Sequence, residues 1–142
     1  MVKLTFRITT PEKTVLEDEI DQLTVMTVSG EITILPNHIL LVSLLKPGEM
    51  RIKKEKKEIL LAVAGGFLEV GEGNKITVLA DAAEHVHELD EALVEEARKR
   101  AEKILQEKFN TADYEDAALA LEWELSRLRA IRKYRHHGSS PR

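Results

Sequence analysis

Five histidines are the first residues to weigh for chemistry. His85-x-His87 could chelate a metal ion from an extended segment, but no obvious third ligand stands beside it, and a solvated connector is the plainer reading. His136-His137 falls in the tail, a poor place for a metal. His38 stands in a turn beside Pro36, where a lone histidine usually makes a structural hydrogen bond. Gly71-x-Gly73 is followed by a strand pattern rather than a helix, so it reads as a hairpin turn. No Gly-x-x-x-x-Gly-Lys-Ser/Thr loop is present to cradle phosphates. Carboxylates are plentiful, but nothing pairs them in an apolar setting, so general acid–base chemistry is unsupported. A catalytic set within this chain is not expected.

Charge order is more informative. Asp113, Glu115, Asp116, Glu122 and Glu124 precede Arg127, Arg129, Arg132, Lys133 and Arg135. Acids first and bases last complement a helix dipole. The five cations could equally grip an acidic partner surface.

These residues need a scaffold, and composition bounds it. The 142 residues fit one domain, or one core domain with an appendage. Aromatics make up only 4%, so the core must be aliphatic. There is no cysteine, hence no disulfide frame and no thiolate metal site. The apolar runs at Ile39–Leu45 and Ile59–Ala64 are far below membrane-spanning length. Met1 to Arg7 alternates polar with apolar, unlike a signal peptide. A cytoplasmic protein is the plain expectation. Acids exceed bases by 13 to 10 up to His87 and by 12 to 11 after it, so bulk charge points away from nucleic acid.

Up to Ala80 the pattern is short strands. Val2, Leu4, Phe6 and Ile8 share one face, with Lys3, Thr5 and Arg7 on the other. Leu23–Val28 is apolar on both faces and reads as a covered strand. Gly30 opens a strand with Ile32 and Ile34, broken by Pro36-Asn37-His38. Ile39–Leu45 follows, and Lys46-Pro47-Gly48 turns. Met50 and Ile52 alternate with Arg51 and Lys53, and Glu55-Lys56-Lys57-Glu58 reads as a charged hairpin loop. Gly65-Gly66 suggests a bulge or a close backbone approach. The total is eight to ten short strands, which argues for a sandwich or barrel.

After Asp81 the period changes. Ala82–Glu88 shows no clear alternation and reads as a connector. Asp90 is a candidate N-cap for a helix with Leu93, Ala97, Ala101 and Ile104 or Leu105, then Lys108 or Phe109, on one stripe. Asn110-Thr111-Ala112 ends it, and Asp113 caps a second helix. Tyr114, Ala117, Leu121, Leu125, Leu128 and Ile131 form its main stripe; Leu119, Trp123, Ala130 and Tyr134 form a weaker one. The short linker predicts an antiparallel helical hairpin. The fold class is therefore α+β: an N-terminal antiparallel β-sandwich over 1–84, a connector over 85–88, a hairpin over 89–137, and a disordered tail over 138–142.

Several motifs in order carry a resemblance. Gly30-x-x-x-Ile34-x-Pro36-x-His38 is followed by Lys46-Pro47-Gly48. Thr10-Pro11-Glu12, Ala64-Gly65-Gly66-Phe67-Leu68-Glu69-Val70, Ile76-Thr77-Val78-Leu79-Ala80-Asp81 and Leu89-Asp90-Glu91-Ala92 are also in place. Together they resemble the epsilon subunit of bacterial F-type ATP synthases, over nearly the whole chain. The resemblance implies a flattened ten-stranded sandwich in a non-catalytic rotor subunit, peripheral on the cytoplasmic face of the inner membrane without inserting into it. The sandwich would bind the gamma subunit and rest on the ring of c subunits. The hairpin would fold back or extend toward the alpha and beta catalytic subunits and block ATP hydrolysis.

By position, Ser29, Gly30 and Glu31 match the family's c-ring loop, and His38 the neighbouring turn. Arg127, Arg129, Arg132, Lys133 and Arg135 fall where the hairpin faces the catalytic subunits. Some relatives bind ATP through Ile/Leu-Asp-x-x-Arg-Ala plus a later arginine. Here Glu84, Asp90 and Arg100 are in place, but Leu93 replaces the first arginine and cannot donate to a phosphate. The loss of a charged hydrogen bond costs about 1.5–3 kcal/mol, so ATP binding is expected to be weak or absent, and no cofactor is expected. Two other readings stand beside this one. A stand-alone ligand-binding sandwich would be a stable monomer with a concave pocket and no affinity for gamma. An enzyme would need a convergent polar cluster in a cleft.

Overall fold

A computed structural model of the chain describes residues 2–107 and 113–138, with side chains through Tyr134 in the last helix. It divides into two compact units, one ending at His85 and the other beginning at Val86.

The first unit holds ten strands: β1 (Leu4–Thr9), β2 (Thr14–Ile20), β3 (Gln22–Thr27), β4 (Gly30–Ile34), β5 (Leu41–Leu45), β6 (Gly48–Lys54), β7 (Lys57–Val63), β8 (Gly66–Gly71), β9 (Lys75–Ala80) and β10 (Ala83–His85). They pair in the order β10-β7-β6-β3-β5-β8-β9-β1-β2, with β4 on β3. Every pairing is antiparallel except β1 with β9, which run parallel. The ribbon folds on itself, because Lys54 on β6 meets Asp18 on β2, strands far apart in that order.

Period-two patterning explains the core. Leu4, Phe6 and Ile8 are fully buried while Thr5 and Arg7 face out. They join Ile20, Leu23, Ile34, Met50, Ile52, Leu61, Leu68, Ile76 and Val78 in one apolar cluster. On β3, Leu23, Thr24, Val25 and Thr27 are all buried, as a strand covered on both faces should be. Thr24 and Thr33 keep their hydroxyls satisfied by meeting at 3.0 Å.

Gly66 accounts for the double glycine. Its φ is +134°, and a Cβ there would lie 2.0 Å from the Leu79 carbonyl oxygen. Only glycine lets β8 lie this close to β9.

The segment read as a connector differs from expectation. Ala83–His85 is strand β10, paired with Leu61–Val63 of β7. Val86–Glu88 is one turn of 3-10 helix. The strand escaped notice because three residues cannot establish an alternation.

The second unit holds that turn and two helices, α1 (Glu91–Glu107) and α2 (Tyr114–Gly138). Asp90 caps α1: its Oδ1 accepts from the Ala92 N–H at 2.9 Å and the Leu93 N–H at 3.4 Å. Asp113 precedes α2, and its carbonyl accepts from the Ala117 N–H at 3.0 Å. Arg132 near the end of α2 lies 3.5 Å from Glu91 and 3.6 Å from Glu95 at the start of α1, so the helices run antiparallel.

The phase of α1 is corrected. Val94 and Ala101 are its buried residues, while Leu93 is 62% exposed and Ile104 is exposed. Adjacent apolar residues at 93 and 94 leave the stripe's phase ambiguous in sequence. On α2, Ala117, Leu128 and Ile131 are buried as expected, but Tyr114 and Leu125 are exposed. Ser126 and Ala130 are buried off that stripe, in keeping with the contacts α2 makes with both α1 and the 3-10 turn. Lys108, Phe109 and Asn110-Thr111-Ala112, read as the end of the first helix, and 139–142 of the expected tail lie outside the described residues.

Candidate docking surface

Alternation along β5 turns Leu45 into the core and leaves Val42 and Leu44 outside. Val42 is 68% exposed and Leu44 50%. The register then aligns their neighbours. Leu44 pairs with Phe67 on β8, and Phe67 with Leu79 on β9. Phe67 is 54% exposed and Leu79 56%. Strands lie roughly 4.8 Å apart, so three large apolar side chains stand side by side across about 10 Å. Val28 adjoins the row, since its N–H donates to the Leu44 carbonyl at 3.1 Å. The loop from Leu35 to Leu40, which enters the other end of β5, exposes Leu35, Ile39 and Leu40. An exposed row of large apolar side chains on one sheet face marks a surface built to be covered.

Residue patterns alone did not single out this row. The signal available was the apolar run from Ile39 to Leu45, which puts apolar side chains on both faces of a strand. Its pairing with Phe67 and Leu79 is a fact of register between distant segments.

Ser29, Gly30 and Glu31 gather at the β3–β4 turn. Thr27 shapes it: its hydroxyl donates to the Gly30 carbonyl at 2.7 Å and accepts from the Ser29 N–H at 3.1 Å. Gly30 has φ +122°. Glu31 points toward Arg51 at 3.6 Å, and Arg51 also reaches Glu49 at 3.3 Å. His38 is not brought to this turn. It lies beyond the other end of β4, roughly 15 Å away along the strand, and its Nδ1 is 2.7 Å from the Ile39 carbonyl.

The late cations are partly engaged inside the hairpin. Arg127 donates to Glu124 at 2.7 Å and lies over the Trp123 ring at 5.4 Å. Arg132 faces Glu91 and Glu95. Glu95 also accepts from Arg98 at 2.9 Å, and this hydrogen bond holds its carboxyl below the ordinary value. Arg129 and Lys133 are exposed, and the Arg135 and His136-His137 side chains lie outside the described ones. Of the nucleotide candidates, Glu84 sits on β10, Asp90 is used as the helix cap, and Arg100 is exposed. No group of three or more His, Asp or Glu residues is arranged to hold a metal among the described residues, and no helix there is long and apolar enough to cross a membrane.

Residues 3–86 match the family described as ATP synthase, Delta/Epsilon chain, beta-sandwich domain. The ATP synthase epsilon chain of Psychrobacter arcticus is 39% identical over 137 residues, covering 96% of this chain and 99% of the relative. The chain belongs to the ATP synthase epsilon-chain family. It is thus a non-catalytic subunit of an ATP synthase. The epsilon chain of Brevibacillus brevis is 43% identical over 80% of this chain and 86% of its own length. A solved chain in the Euglena gracilis mitochondrial ATP synthase OSCP/F1/c-ring structure shares the fold, with a TM-score of 0.81 at 22% identity over 92% of this chain and 82% of that one. A chain of the Tetrahymena thermophila mitochondrial central stalk and c-ring structure gives a TM-score of 0.55 at 19% identity, over 92% and 95%.

Proposed function

We propose that the outer face of β5, β8 and β9, together with the loop from Leu35 to Leu40 that leads into β5, seats the sandwich on the gamma subunit of the stalk. The carrying observation is the row Leu44–Phe67–Leu79, exposed and aligned by register on one face. Covering such a row supplies binding energy in proportion to the apolar area removed from water. The β3–β4 turn, with Ser29, Gly30 and Glu31, touches the c-subunit ring, whereas His38, inside the loop from Leu35 to Leu40, goes with the gamma-facing surface. Family position supports this, together with the exposure of Ser29 and Glu31. The complex holds the chain peripherally at the cytoplasmic face of the inner membrane.

The hairpin restrains ATP hydrolysis through alpha and beta, with Arg127, Arg129, Arg132, Lys133 and Arg135 as the contacting candidates. Arg127 and Arg132 would first have to leave Glu124, Glu91 and Glu95. For Arg132 the exchange trades one largely exposed ion pair for another, worth about 1 kcal/mol or less; Arg127 and Glu124 are mostly buried, so their separation costs more.

Reconstitution tests the division of labour. The core cluster draws only on residues up to Ala83, so a chain cut after Glu88 keeps its core. It should join gamma with wild-type affinity while hydrolysis rises. A truncated chain that folds but fails to join gamma, or that still inhibits, refutes this assignment.

A further inference from the structure

Two turns of the sandwich are locked together by asparagines. Asn37 lies in the turn after β4, with φ +68°, and Asn74 in the β8–β9 turn, with φ +60°. The Asn37 N–H donates to Asn74 Oδ1 at 2.6 Å. Asn74 Nδ2 returns a longer bond to Asn37 Oδ1 at 3.4 Å. The Asn74 carbonyl in turn accepts from the Thr5 N–H at 2.8 Å, next to fully buried Leu4 and Phe6. Across Pro36–Ile39 this clip makes the only hydrogen bonds to another segment among the described residues. That segment leads into Ile39 and Leu40, which are 77% and 62% exposed. Two large apolar side chains are thus carried in water by a loop whose hydrogen bonds to another segment all run through this clip.

We infer that Asn74 is a positioning residue for gamma binding: it ties the Asn37 turn to β1 and so presents Ile39 and Leu40 pre-ordered for docking. Pre-ordering removes the entropy that a mobile loop would lose on docking. Asparagine suits this role at both positions, since it tolerates left-handed backbone and its amide oxygen accepts a main-chain N–H. The inference rests on the docking reading above.

Three full-chain variants separate the side chain from the backbone. Asn74→Gly keeps the left-handed turn but deletes both bonds. Asn74→Asp keeps an oxygen for the Asn37 N–H. Asn37→Gly keeps that N–H and its positive φ, losing only the longer bond. Each is measured for amide exchange at Asn37–Leu40 in the free protein and for affinity toward purified gamma. In Asn74→Gly we expect exchange to rise about tenfold and affinity to fall about five- to tenfold, as the loss of one net hydrogen bond allows. Asn74→Asp and Asn37→Gly should stay within about twofold of wild type in both readouts, a margin inside half of one such bond.

Unchanged exchange in Asn74→Gly overturns the clip. Faster exchange with unchanged affinity overturns the positioning role. Failure of Asn74→Asp to restore both readouts does the same. A wild-type chain that does not bind gamma overturns the docking reading itself and the positioning role with it, while the exchange arm still reports whether the clip holds the loop.

Discussion

Replacing Phe67 by Thr puts a number on the docking face. Phe67 is 54% exposed and its ring contributes nothing to the enclosed core cluster. Threonine keeps β propensity at this strand position, so the fold should survive the change. A phenylalanine can bury 150–250 Å², so the exposed half offers roughly 100 Å² to a partner. At about 25 cal/mol per Å², covering it is worth about 2.5 kcal/mol. The loss corresponds to a roughly 30- to 150-fold weaker complex, mostly as faster dissociation. Surface plasmon resonance against immobilised gamma measures this, with circular dichroism and thermal melting as checks on the fold. Leu93→Thr is the control, because Leu93 is at least as exposed but lies on α1, in the other unit. Binding within threefold of wild type for Phe67→Thr, with an intact fold, would refute the assignment of this face. So would an equal loss from Leu93→Thr.

Other outcomes follow from the same coordinates. Gly66→Ala would drive a Cβ into the Leu79 carbonyl at a residue with φ +134°, and should cost about 3 kcal/mol or more in urea unfolding; a loss under about 1 kcal/mol would mean that β8 and β9 are not pressed together. The Lys54 hydrogen bond holds the Asp18 carboxyl below its ordinary value, and the Lys3 hydrogen bond, with the Glu55 N–H, does the same for Asp21. The unfolded chain therefore takes up these protons first as pH falls, so the stability they confer is complete above the ordinary carboxylate range and is lost from there down through the lowered native values. Asp21→Asn should flatten the fall in melting temperature between about pH 5 and pH 3, and an unchanged slope would show that the Lys3 pair does not matter. Calorimetry with ATP should find weak binding or none, since Leu93 is exposed where relatives that bind ATP carry an arginine; stoichiometric micromolar binding abolished by Asp90→Ala would contradict this.

Local chemistry was legible before any coordinates. Strand alternation in Leu4–Phe6–Ile8, the turn at Gly71–Asn74, the cap at Asp90 and the helical spacing that follows it are each fixed within a few residues. Such features depend on backbone sterics and on hydrogen bonds to near neighbours, which a short window of sequence contains. Gly65-Gly66 could be read as a close approach, though not against which strand. Three things needed the folded chain. The three-residue strand β10 exists only because β7 offers it an edge. Helix α1 turns Val94 rather than Leu93 inward because α2 selects its phase. The row Leu44–Phe67–Leu79 forms because strands distant in sequence pair in one register, and nothing local to any of them encodes the other two. Apolar side chains on the two faces of a strand look alike in sequence. Only tertiary pairing decides which face closes the core and which waits for a partner.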